Sequence, residues 1–285
     1  MATSVAGELL AVAAANGFTV PSEGDQQAIL LQLLRQVASG NSPPYNLQVQ
    51  RGLVEGVERI AIVGHNTDMD LGTIPEDIWE GGGLYPFQSV PQSLEILSDS
   101  VADAAAGTGM RTVRVVGLDG GYQEIQEVVT LDGTTPVALT QQYFRINQLV
   151  GVTAGSGAAN AGIITLQVAG GGAVQAVMDA GDGLAHQAIY TVPAGKTLNF
   201  ITRESAILRQ PNIETMEIHI KIRGPGGPWI SRNIFGLVNA GTSALVKELP
   251  FLAVPQFSDF RATCMNVSAN NTQAMVTFEC FLSDN

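Results

Sequence analysis

Hydrophobic and polar positions alternate through most of the chain from residue 91 onward. In "MEIHIKIRG", Met216, Ile218, Ile220 and Ile222 fall on one side, while Glu217, His219, Lys221 and Arg223 fall on the other. A period of two is that of a strand with one buried and one wet face. "AMVTFECFL" alternates in the same way, with Ala274, Val276, Phe278, Cys280 and Leu282 on one face. "TVRVVGLDGGYQEIQEVVTL" reads as a hairpin with its turn at Asp119-Gly120. Such runs amount to roughly a dozen short strands, divided by turn sequences such as "TLDGTTP", "VPAGK", "RGPGGP" and "SANNT". The pattern predicts a mainly β chain whose residues 89–285 form a β-sandwich or jelly-roll-like domain.

The helical period appears only near the start. In "PSEGDQQAILLQLLRQVASG", Ser22 and Asp25 resemble a capping pair, Leu30, Leu33, Leu34 and Val37 share a helix face, and Gly40 stands where a C-terminal cap would. An earlier helix is predicted over Ser4 to Ala15, ended by Gly17. Helices this short need a packing partner, which is either the rest of the chain or another protein. "NSPPYNLQVQ" reads as an extended linker, because Pro43 and Pro44 oppose helix there. "VERIAIVG" alternates like a strand, and "HNTDMDLGTIPEDIWEGGG" returns to irregular chain. The expected organisation is a helical anchoring region over 1–50, an extended arm with a Gly-rich hinge over 51–88, and the β domain.

"EDIWEGGGLYPFQ" concentrates unusual residues at the end of that arm. Gly81, Gly82 and Gly83 free the backbone to act as a hinge, and Trp79, Tyr85 and Phe87 carry large surfaces that need burial. They cover one end of the β domain or clasp a neighbouring subunit. These three aromatics and the apolar helix face of Leu30, Leu33, Leu34 and Val37 are the interface candidates.

Composition narrows the function. The net charge is −12, from 14 Lys and Arg against 26 Asp and Glu, which opposes phosphate neutralisation and makes nucleic acid an unsuitable partner. No apolar run approaches the roughly 20 residues of a membrane-spanning helix. The first 20 residues lack a basic start, and Glu8 interrupts their apolar stretch, so they do not read as an export signal. Cys264 and Cys280 are read as reduced core thiols, with one bridge as the alternative.

Chemical motifs fail on their own geometry. "AGKT" lacks the glycine a phosphate loop requires five residues before Gly195, where Tyr190 stands. "GSGAAN" lacks the third glycine of a dinucleotide fingerprint. "NTDMD" offers Asp68 and Asp70 to a cation, but Gly72 is misplaced for a calcium loop and a solvated acidic turn is favoured. His65, His186 and His219 are far apart in sequence with no zinc-site spacing. The carboxylate pairs Asp99 with Asp103 and Asp179 with Asp182 read as turn formers. No catalytic, cofactor or metal residue is expected.

Five stretches taken in order, "DIWEGGGLYPF", "LEILSDSVADAAAGTGMRTVRVVGLDGGYQEIQEVVTLDGTTPV", "VTAGSGAANAGIITL", "AIYTVPAGKTLNF" and "GGPWISRNIFGLVNAGTSALVKEL", resemble a family of tailed-bacteriophage virion proteins common in aquatic phages. The likeness covers about residues 57–285. It implies a non-enzymatic virion protein, a head decoration (cement) protein or a fibre-like appendage. The expected partners are the major capsid protein and further copies of itself, as a homotrimer. A tail, collar or baseplate position is the alternative, and host-glycan recognition through Trp229 is a third reading.

Overall fold

The computed structural model describes residues 43–209, 215–238, 244–247 and 252–285. The helices expected over 4–15 and 22–40, with Leu30, Leu33, Leu34 and Val37, lie outside those residues. The chain divides into two compact units, Met1–Val54 and Glu55–Asn285.

In the first unit, α1 (Tyr45–Gln50) occupies part of the expected extended linker. Pro44 is its N-cap, with φ −49° and ψ 146°, and its carbonyl accepts the backbone N–H groups of Leu47 and Gln48 at 2.9 and 3.1 Å. Proline opposes a helix only in its interior; at the start its missing N–H costs nothing. The linker reading is corrected on that ground.

The second unit is built from strands. In chain order they are β1 (Val57–Met69), β2 (Glu76–Asp77), β3 (Gln92–Ser98), β4 (Met110–Leu118), β5 (Glu124–Thr130), β6 (Val137–Tyr143), β7 (Arg145–Ala154), β8 (Ile164–Val168) and β9 (Val174–Met178). They continue with β10 (Ile189–Thr191), β11 (Lys196–Arg209), β12 (Thr215–Arg223), β13 (Ile230–Val238), β14 (Ala244–Lys247), β15 (Ala253–Val254), β16 (Asp259–Val267) and β17 (Thr272–Asp284). Every pairing is antiparallel.

Four small sheets result among the described residues. One runs β1-β17-β11-β14 with β15 against β11, and a second runs β10-β16-β12-β13 with β2 against β16. The inward residues of these two sheets make one apolar core around Phe200, Phe260 and Phe278, whose rings meet at 5.0–5.3 Å. The other sheets, β6-β3-β8-β9 and β5-β4-β7, fill a second core around Leu94, Val113, Tyr143, Leu149 and Leu166. The predicted alternation holds: Met216, Ile218, Ile220 and Ile222 are buried, as are Ala274 through Leu282 at every second position.

The order along the chain matters more than the count of strands. Residues 57–78 and 188–282 contribute to the first core, whereas 94–185 contribute to the second, so the second core is an insertion between β2 and β10. The chain crosses between cores twice, over residues 79–91 and 179–188. Within residues 51–88, expected as an extended arm with a Gly-rich hinge, Val57–Met69 form β1 and Glu76–Asp77 form β2. β1 pairs with β17 from Val57 to Met69, because its alternating residues have a core face to fill.

The expected hinge is likewise a tight turn. Gly82 and Gly83 take positive φ of 66° and 62°, and a Cβ on Gly81 would lie 2.3 Å from the Trp79 ring. The Gly83 carbonyl accepts from Asp77 N–H at 2.9 Å and from Trp79 Nε1 at 3.1 Å, so the glycines close the chain against its own tryptophan.

Candidate functional site

The two crossings lie side by side, joined by an antiparallel bridge between Trp79 and Gln187. Gly64 in β1 makes this possible: a Cβ there would lie 2.4 Å from both the Ile78 carbonyl oxygen and the Ala188 Cβ. Only a glycine admits so close an approach of three segments. Backbone bonds fix them, with Ala188 N–H donating to Ile78 O at 2.9 Å and His65 N–H to His186 O at 3.4 Å. The residues adjoining these contacts are His65, Glu80 and His186.

The Glu80 side chain is fully buried. Its Oε1 lies 2.6 Å from His186 Nδ1 and 3.9 Å from His65 Nδ1, and its Oε2 accepts the His186 backbone N–H at 3.1 Å. His186 Nδ1 is also 3.4 Å from Asp182 Oδ2. Burial pushes the Glu80 carboxyl upward, but hydrogen bonds from His186 and His65 outweigh it and hold the group below the usual carboxylate range. The bond to Glu80 raises the His186 imidazole above its ordinary value against the effect of burial. Burial, then the charges of Glu80 and Asp182, raise Asp179.

The loop carrying Asp179 and Asp182 is held as firmly. Asn160 Nδ2 donates to Asp179 O at 2.8 Å, its Oδ1 accepts Gly183 N–H at 3.0 Å, and its carbonyl accepts Gly181 N–H at 3.0 Å. Gly181 and Gly183 have positive φ of 90° and 68°.

Beside this cluster runs an aromatic ladder. Trp79, Tyr85, Phe87 and Trp229 meet edge-on or tilted at 5.1, 4.8 and 5.2 Å. Trp79 and Tyr85 are buried within the chain, packed on Ile189 and flanked by Phe87 and Val174, so these aromatics fasten one core to the other. The Trp229 ring faces the Arg223 and Arg261 guanidinium groups at 4.5 and 4.2 Å. Next to the ladder, Arg145 of β7 reaches Asp259 of β16 at 2.8 and 3.1 Å, and Arg223 reaches the same carboxylate at 2.8 Å. Asp77 accepts from Arg261 at 3.1 Å, Thr263 Oγ1 at 2.6 Å and Tyr85 N–H at 2.8 Å.

The histidines have no zinc-site spacing in the sequence, yet the fold unites two of them with Glu80, which no motif marks. His219 stays apart in β12, bonded to Glu217 at 2.6 Å and Ser231 at 3.0 Å. Of the carboxylate pairs, Asp179 and Asp182 join the cluster. Asp103 is buried and accepts from Ser98 Oγ and the N–H groups of Met110, Ala161 and Gly162 at 2.7–2.9 Å, which occupies it structurally. Asp70 caps Asn271 N–H at 2.7 Å, as a turn former does. Cys264 and Cys280 are both buried and free.

No protein-family model matches the chain, and no curated protein matches it. Among solved structures, a chain from the structure of infectious bursal disease virus Gt strain is similar over 84% of this chain and 77% of its own, at 11% identity and a TM-score of 0.18. A likeness of that size carries no argument about fold or function.

Proposed function

We propose that the protein is a non-enzymatic structural component of a tailed-bacteriophage virion, a decoration protein on the head, with a tail, collar or baseplate position as the second reading. The motif set along residues 57–285 supports the family, and the fold supports the role. Each core draws on two sheets, which we read as two β-sandwiches of jelly-roll-like character, one inserted in the other.

The observation that carries the reading is the outer strand β13. Among the described residues it pairs only with β12, and Ile234 and Val238, both opposite outward-facing positions of β12, are 58% and 56% exposed. An aliphatic edge strand left uncovered invites pairing with another chain, so a protein that keeps one has a use for it. The occupant we assign to it is a neighbouring subunit of the same shell. The N-terminal region adds a second attachment, and the two together give avidity without any single strong contact.

Incubation of the purified full chain with phage heads lacking it, followed by electron cryomicroscopy, tests this. Ordered density at repeated positions on the shell is the expected result, with occupancy lost on Ile234→Lys and on removal of residues 1–50. A chain that ignores assembled heads, or one found in a few copies at the tail, overturns the head assignment.

A further inference from the structure

The His65, Glu80 and His186 side chains place three ligand-type atoms within 4.8 Å of one another, and Glu80, Asp179 and Asp182 do the same. We infer that this cluster is a binding site for one divalent first-row transition ion, zinc foremost, which staples the two crossings to β1. The inference goes beyond the virion reading and does not depend on it.

Ligand identity selects the ion. Two imidazoles with carboxylates suit zinc and its neighbours, whereas calcium and magnesium take oxygen alone. Tetrahedral zinc with bonds near 2.0–2.1 Å holds its ligand atoms about 3.3 Å apart. Glu80 Oε1 stands 2.6 Å from His186 Nδ1 and 3.9 Å from His65 Nδ1, so these two separations bracket the tetrahedral value and each lies within about 0.7 Å of it, while the remaining pair of ligand atoms lies within 4.8 Å. The ion takes the place of the proton between Glu80 and His186. Asp182, grouped with Glu80 and Asp179 in the second triplet, has its Oδ2 3.4 Å from His186 Nδ1 and so borders the first.

An outer shell is in place as well. His65 Nε2 lies 2.9 Å from the Gln273 side-chain amide. With the amide turned so that its oxygen accepts from Nε2–H, His65 presents Nδ1 as a lone-pair donor to the ion. Glu80 Oε2 is held by the His186 backbone N–H at 3.1 Å, which aims Oε1 inward. Three carboxylates, Glu80, Asp179 and Asp182, stand with the two imidazoles, a donor set rich in acidic oxygen.

The test uses the untagged full chain, stripped with chelator and titrated with zinc chloride by calorimetry, with metal content read by mass spectrometry. One zinc per chain is expected, with Tm raised by about 5–10 °C at a hundredfold excess over Kd, and no response to calcium or magnesium. Cobalt(II) should give the visible absorption of a four-coordinate ion. Binding should weaken at least tenfold in His186→Gln and Glu80→Gln, and about tenfold in Gln273→Ala, which leaves every ligand in place. His219→Gln should bind like the parent. Circular dichroism confirms the fold of each variant, and Gln273→Ala keeps the inference open to refutation should a ligand variant not fold. No binding by the parent, a calcium response equal to that of zinc, or unchanged affinity in folded Glu80→Gln and His186→Gln would overturn it.

Discussion

Cys264 and Cys280 stand on the inward faces of β16 and β17, where the surrounding apolar side chains disfavour the thiolate. Burial pushes the Cys264 thiol up to about 12 and Cys280 well above the ordinary thiol range. The thiolate is the reacting species, so at pH 8 a thiol titrating near 12 is ionised to roughly one part in ten thousand. Ellman's reagent at pH 8 should therefore find no reactive thiol in the native protein and two per chain in urea. Rapid labelling of the folded protein would contradict the packing described for these strands. The same residues show what a single position reveals: each cysteine lies in an apolar-rich, strand-like run, which is a local property and reads as core. Trp79 was harder to place, since nothing local distinguishes a tryptophan that clasps a partner from one that covers its own chain.

At the scale of elements, Gly64 decides whether β1 can lie against residues 78 and 188. An added methyl would meet backbone atoms of both segments at 2.4–2.6 Å, and backbone cannot swing aside as a side chain can. Gly64→Ala should lower the unfolding free energy by about 1–3 kcal/mol, the range for overpacked sites, as measured by urea denaturation. Gly72→Ala, with open space around its Cβ position, should change it little. Equal stability in the two variants would mean that the close approach is not needed. The sequence signature of such a glycine is weak: "VGHN" inside a strand pattern says that something comes near, and says nothing of what. The extended reading of residues 41–50 fell to the same kind of ambiguity, since a Pro-Pro pair both bars a helix behind it and starts one ahead.

For the whole molecule, the inserted second core raises the question of what keeps two cores acting as one. Arg145 and Asp259 come from different cores, and the carboxylate also accepts from Arg223 and from Thr191 Oγ1 at 2.7 Å. The Arg145 and Asp259 side chains are each 6% exposed, so deleting the acid leaves buried guanidinium charge without its partner. Asp259→Ala should cost about 3–5 kcal/mol. Both tryptophans sit in the ladder at this junction, so their fluorescence reports the junction while circular dichroism reports all strands. In the parent the two urea transitions should coincide, and in Asp259→Ala the fluorescence transition should come first. Coincident transitions in the variant would mean that this ion pair does not couple the cores.

Strand facing, the buried members of β12 and β17, the hairpin of β4 with β5 and the core position of both cysteines follow from the sequence itself, because each depends on a period of two, an apolar run or a turn a few residues long. The division into two cores, the fate of the glycine triplet and the meeting of His65, Glu80 and His186 depended on tertiary structure. Those residues are separated by up to 121 positions. Their proximity arises only when the chain returns from the inserted core and lies beside its own outward crossing, an event that no local pattern encodes.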